Sequence, residues 1–131
     1  MSRANLQSCK AEALRRLSPS FVLGLFEPEL FERYGVCSGR VTFEHFDARR
    51  RIREAVLIGH TESEERSEEL AGETDGDTIW VMRNMDREDT VATLLHEALH
   101  DSVYILRTTR KGTKRGLSCE CEHRAMKRAG L

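Results

Sequence analysis

Thr93-Leu94-Leu95-His96-Glu97-Ala98-Leu99-His100 is a histidine-glutamate-x-x-histidine run set among apolar residues. On an α-helix of ~3.6 residues per turn, positions four apart lie about 40° apart around the axis, so His96 and His100 can aim imidazole nitrogens at one metal ion. Glu97 then stands beside the ion, where its carboxylate can take a proton from a bound water. From Glu88 to Leu106 the residues Val91, Leu94, Leu95, Ala98, Leu99, Val103, Ile105 and Leu106 cover most of a helix, and Thr93, His96, Glu97 and His100 gather on the remaining stripe. Polar groups on such a helix are costly to bury unless something engages them, and a metal with an open, solvated position does so. Asp86 suits the amino-terminal cap, with Glu88 and Asp89 in the first turn facing the helix dipole.

Upstream, Thr78 to Arg83 is β-branched and aromatic and reads as a strand. Residues 61 to 77 form a long acidic connection before it, expected to be flexible. Arg40 to Phe46 alternates apolar and polar residues as a half-buried strand does, and Ile52 to Ile58 is expected to pair with it. Near the amino terminus, residues 5 to 17 show helical spacing and stop at Ser18-Pro19. A second short helix is expected from Pro28 to Tyr34, with Pro28 at its first position and Gly35 just past its end. Downstream, Gly112 and Gly116 mark a loop, and Ser118 to Ala129 is again helical. The expectation is one α+β domain over residues 1–131. It combines an amino-terminal helix, a small, mostly antiparallel sheet of about three strands, the buried motif helix and a closing helix.

The chain of 131 residues has a formal net charge of −1, so no whole-molecule field points to a nucleic acid or an anionic membrane. Two local basic clusters, Arg49, Arg50, Arg51, Arg53 and Arg107, Arg110, Lys111, Lys114, Arg115, are the sole support for a nucleic-acid partner. The longest apolar run, Phe21 to Phe26, is far short of the ~20 residues that span a bilayer. Cys9, Cys37, Cys119 and Cys121 do not form the pattern of a disulfide framework. The expected setting is intracellular and soluble.

A catalytic zinc site takes three protein ligands and leaves one position open, so His96 and His100 require a third. The dense cluster Cys119-Glu120-Cys121-Glu122-His123 offers candidates. Glu120 and Glu122 lie about 200° apart on a helix, and Ala125 and Ala129 mark the Glu122 side as the packed one. Glu120, Cys119, Cys121 and His123 remain alternatives to Glu122. A site built on Cys and His would favour a closed, structural zinc.

The motif helix followed by Glu122-His123-Arg124-Ala125-Met126-Lys127-Arg128-Ala129 resembles the gluzincin arrangement, in which a glutamate in an E-x-x-A setting on a following helix completes the zinc site. The order of elements is similar to that of minigluzincins, SprT-like proteins and the peptidase part of IrrE-like regulators. This resemblance, over roughly residues 78 to 129, implies a zincin-like metallopeptidase fold with Zn²⁺ on His96, His100 and Glu122. It also implies an extended peptide lying on an edge strand at residues 79–83.

Two positions depart from the pattern: Met126 stands where many gluzincins have an aspartate that orients a ligand histidine, and Asp101 follows the second histidine. The expected function is peptide-bond hydrolysis with Glu97 as general base and Tyr104 or His123 as oxyanion donors. The alternative is a zinc-stabilised regulatory or nucleic-acid-associated module. A further expectation is that residues 62 to 77 cover the cleft in a latent form.

Overall fold

The computed structural model describes residues 3–35, 40–58, 72–83, 85–106 and 114–131. It is an α+β arrangement with two three-stranded sheets, where a single small sheet was expected. Helix α1 spans Arg3–Arg16, and α2 spans Pro19–Glu29. Ser18 caps α2 by accepting a hydrogen bond from the Phe21 amide at 3.1 Å, and Pro19 occupies the first turn.

The helix expected to begin at Pro28 therefore begins nine residues earlier. Val22, Phe26 and Leu30, four apart, form its buried stripe. Pro28 sits inside the last turn and cannot donate to the ladder, and the chain beyond it widens into a π-helical turn, Leu30–Tyr34. Gly35, at φ 65°, ends that turn in the left-handed region, as its position in the sequence suggested.

Strand β1 spans Val41–Phe43, after which helix α3 takes His45–Glu54 and β2 takes Val56–Ile58. The expected hairpin of residues 40–46 with 52–58 is thus absent. Buried Ala48, Arg51 and Ile52 recur at helical rather than alternating spacing, and this periodicity wins. The partner of β1 is β5, Val103–Leu106, in antiparallel register, and β6, Lys114–Gly116, completes that sheet. Gly116 belongs to a strand where a loop was expected, and Gly112 lies outside the described residues.

The second sheet has the order β2-β4-β3, with β3 at Gly72–Thr74 and β4 at Ile79–Met82. Its β2–β4 pair is parallel and its β3–β4 pair antiparallel. Residues 79–83, expected to offer an edge, instead supply the middle strand, both of whose rims are paired. Of the acidic connection, residues 61–71 lie outside the described residues. Residues 72–77 are not a flexible linker but strand β3 and a turn closed by Asp75, whose Oδ1 accepts from the Asp77 and Thr78 amides at 2.8 Å each.

The motif helix α4 spans Arg87–Leu99, capped by Asp86, whose carboxylate accepts from the Asp89 amide at 2.8 Å. Helix α4 was expected to reach Leu106 but stops at Leu99. His100 turns extended at ψ 131°, and Asp101 adopts a left-handed φ of 58°. Aspartate tolerates that conformation better than most residues, which gives Asp101 a backbone role. Beyond it, Val103 and Ile105 point inward and Leu106 outward, the alternation of a strand.

Val91, Leu94, Leu95, Ala98 and Leu99 are buried, and α1, α3, β3 and β4 surround α4. The closing helix α5, Cys119–Arg128, is capped by the Ser118 hydroxyl on the Cys121 amide and packs on α2 through Cys121, Ala125 and Met126. Arg128 pairs with the buried Glu29 of α2. Among the described residues, no helix is long and apolar enough to cross a membrane.

Candidate metal centre

His96 lies on the last turn of α4 and His100 at its carboxyl-terminal cap, while α5 carries His123 in from the other side. The His100 Nε2 atom is 3.1 Å from His96 Nε2 and 3.1 Å from His123 Nε2. The rings of His96 and His123 stack at 5.3 Å between centroids, and His100 meets both edge-on. Among the described residues, His96, His100 and His123 form one set that could hold a metal ion, and His100, Cys119 and Glu122 form another.

The far sides of two rings fix which nitrogens are available. His96 Nδ1 lies 3.1 Å from the Leu131 carbonyl, and His100 Nδ1 lies 3.1 Å from Oε1 of Glu122. A carbonyl and a carboxylate can only accept, so each Nδ1 carries the hydrogen and each neutral ring presents a bare lone pair at Nε2. Two such lone pairs 3.1 Å apart repel unless a cation lies between or beside them. The donor chemistry therefore fits a metal ion, or a proton in its place.

The surroundings divide the three imidazoles. Glu122 holds His100 above the ordinary histidine pKa, against the opposing effect of burial. Burial lowers His96, and burial together with the two neighbouring rings lowers His123. Burial also raises the Glu97 carboxyl, moderated by the nearby His100 and His123. That direction makes the carboxylate a better proton acceptor than an exposed one.

Glu122 is 3% exposed and has both oxygens engaged, because its Oε2 also accepts from the Asp101 amide at 2.9 Å. Glu120 points elsewhere, into ion pairs with Arg33 at 3.3 Å and Arg124 at 3.0 Å. Tyr104 stands on β5 rather than one helical turn beyond His100, and its hydroxyl donates to the Asp101 carbonyl at 2.7 Å. Met126 is buried in the core, and the carboxylate behind a site histidine is that of Glu122 rather than Asp101, which meets Glu122 through its backbone amide. Exposed Cys119 sits with its Sγ 3.8 Å from His123 Nδ1 and 3.9 Å from His123 Nε2.

Three features were not visible in the sequence. Arg51, fully buried, donates to the carbonyls of Ala98 at 2.9 Å and His100 at 3.1 Å and to the Ser102 hydroxyl, closing the end of α4. Its Nε faces Asp47 at 3.3 Å without hydrogen-bond alignment. Gly130, at φ 75°, reverses the chain so that Leu131 reaches His96. Gly72 of β3 lies against α4 so closely that a Cβ there would come 2.6 Å from Thr93 Cγ2 and 2.7 Å from the Trp80 carbonyl.

The basic cluster on α3 is largely consumed by the fold: Arg49 donates to the Leu14 carbonyl, Arg50 pairs with Asp47, Glu54 and Asp77, and Arg51 is buried. Of the second cluster, Arg107, Arg110 and Lys111 lie outside the described residues. Comparison of the chain with protein-family models, with curated proteins and with solved structures finds no match.

Proposed function

We propose that this protein is a zincin-like, zinc-dependent hydrolase of peptide bonds, with His96, His100 and His123 holding the ion and Glu97 serving as general base. The observation that carries the reading is the meeting of three imidazoles, with the Nδ1 hydrogens of His96 and His100 already engaged and the Glu97 carboxyl within electrostatic reach of His100 and His123. Bound there, zinc would supply Lewis-acid polarisation of a carbonyl and a water acidified towards neutral pH.

The other steps fall to the chain. Glu97, raised by burial, accepts a proton from the attacking water and returns it to the leaving amine. Glu122 and the Leu131 carbonyl fix the tautomers and orientations of His100 and His96, the role that carboxylates and carbonyls take behind metal-bound histidines. His123, an alternative ligand and a candidate oxyanion donor in the sequence, thereby takes the ligand place first suggested for Glu122, and Glu122 takes the orienting role behind His100. Among the described residues β3 is the outer strand beside Glu97, and an extended peptide would add to its free rim. Free Cys9, Cys119 and Cys121 suit a reducing, intracellular compartment.

Metal titration of three variants tests the roles. Glu97→Gln should bind zinc as wild type does and hydrolyse nothing. His123→Ala should lose most zinc affinity, and Glu122→Gln should lose about 10- to 100-fold. Zinc affinity abolished by Glu122→Gln but untouched by His123→Ala would restore Glu122 as the ligand and reject this set. The second reading, a zinc-stabilised module without turnover, is favoured by the nearness of Cys119 to the histidines. It gains if the zinc-loaded Cys119→Ser variant cleaves nothing in a broad peptide library.

A further inference from the structure

Resting on the reading that His96, His100 and His123 hold the ion, we propose that the Cys119 thiol is a fourth donor, which closes the site into a latent N₃S set until the thiol is blocked. A tetrahedral zinc with metal–nitrogen distances of about 2.0–2.1 Å and a metal–sulfur distance of about 2.3 Å sets its N···N edges near roughly 3.3 Å and its N···S edges near roughly 3.5 Å. Two N···N edges here are 3.1 Å, and Cys119 Sγ stands 3.8 Å from His123 Nδ1 and 3.9 Å from His123 Nε2. Sγ also lies within 4.8 Å of a ring nitrogen of His100. Three imidazole nitrogens thus lie together, and Cys119 Sγ, about equally far from both nitrogens of His123, would join them by a turn of its exposed side chain towards Nε2.

Their mounting makes the fourth donor detachable. His96 and His100 are held from behind by Leu131 and Glu122, whereas Cys119 is the first residue of α5 and exposed. A small side chain at the solvent end of a helix can turn away without disturbing the core. Ligation exchanges the thiol proton for a sulfur–metal bond and releases the proton to solvent. Alkylation instead forms a sulfur–carbon bond, with loss of the reagent's halide and the thiol proton, and leaves sulfur a poor ligand. A closed set suppresses hydrolysis because the water position is filled, and an opened one restores it. Cys121, two residues on, is buried on the side of α5 that packs against α2 and takes no part.

Cobalt(II) in place of zinc tests this by its optical spectrum, independently of turnover. Wild type loaded with Co²⁺ should show visible ligand-field bands of a low-coordinate site together with a near-ultraviolet thiolate-to-cobalt charge-transfer band. Cys119→Ser, and wild type treated with iodoacetamide, should keep the ligand-field bands and lose the charge-transfer band. Ligand-field bands without a thiolate band in wild type, or a thiolate band that survives in Cys119→Ser, would overturn the fourth-donor assignment and leave the three-histidine reading standing. No cobalt binding at all would remove both.

Discussion

His100 carries the tension in the site, because the same Glu122 contact that orients it also favours its protonated form. A metal needs the neutral ring, so proton and ion compete for Nε2. The raised pKa means that zinc affinity should begin to fall while pH is still above 6.5, the ordinary histidine value, and keep falling as pH drops. Glu122→Gln should move the onset back towards that value, even as it weakens binding at neutral pH. Competition with a chromophoric chelator across pH checks this, and an unchanged onset in Glu122→Gln would contradict it. In the metal-free protein the sign reverses: protonated His100 paired with Glu122 stabilises the fold below pH 6.5, and this contribution fades as pH rises through the raised value. At this scale the sequence showed the motif histidines, Glu97 and the Asp86 cap, since each depends on neighbours within one turn. It could not tell how Glu122 and His123 divide between the two sides of His100, because adjacent residues on a helix are ~100° apart and only the position of α5 decides which ring nitrogen each meets.

The motif helix is held at its carboxyl end by a residue from another element. Arg51 of α3 satisfies carbonyls that α4 leaves unpaired where the chain turns at His100 and Asp101, and its charge complements the negative end of the helix dipole. Arg51→Met should destabilise the fold by about 2–5 kcal/mol, because it leaves the carbonyls of Ala98 and His100 without their buried donor. Chemical denaturation measures this, and a loss below about 1 kcal/mol would mean that water replaces the guanidinium. On the opposite side, Gly72→Ala forces β3 away from Thr93 or from the Trp80 carbonyl, at a cost of about 1–3 kcal/mol. The α3 segment shows why element type was only partly legible. Arg49, Arg50, Arg51 and Arg53 look alike in the sequence, and only burial of Arg51 beside Ala48 and Ile52 reveals a helix across residues expected to end one strand at Phe46 and begin another at Ile52. The chain reversal at Asp101 was hidden for a related reason, since the apolar residues after it continue a helical pattern as readily as a strand.

On the scale of the whole molecule, the centre joins parts that otherwise have separate supports. Helix α4 is enclosed by α1, α3 and the β2-β4-β3 sheet, whereas α5 packs chiefly on α2 and reaches α4 through polar contacts: Glu122 with His100 and Asp101, and Leu131 with His96. An ion shared by His96, His100 and His123 would therefore act as a fastener between α4 and α5. Free zinc at ~100 times its Kd should add about 2.7 kcal/mol of stability and raise Tm by roughly 10 °C for a chain of this length. The gain should be local in origin. Hydrogen exchange of the metal-free protein should quicken in residues 119–131 and at Asp101, with the amides of Leu94 and Leu95 in the middle of α4 changing far less, because their protection comes from the apolar core. Chelation that loosens α4 and α5 equally would place the ion's effect on the core as a whole and argue against a joint at the three histidines.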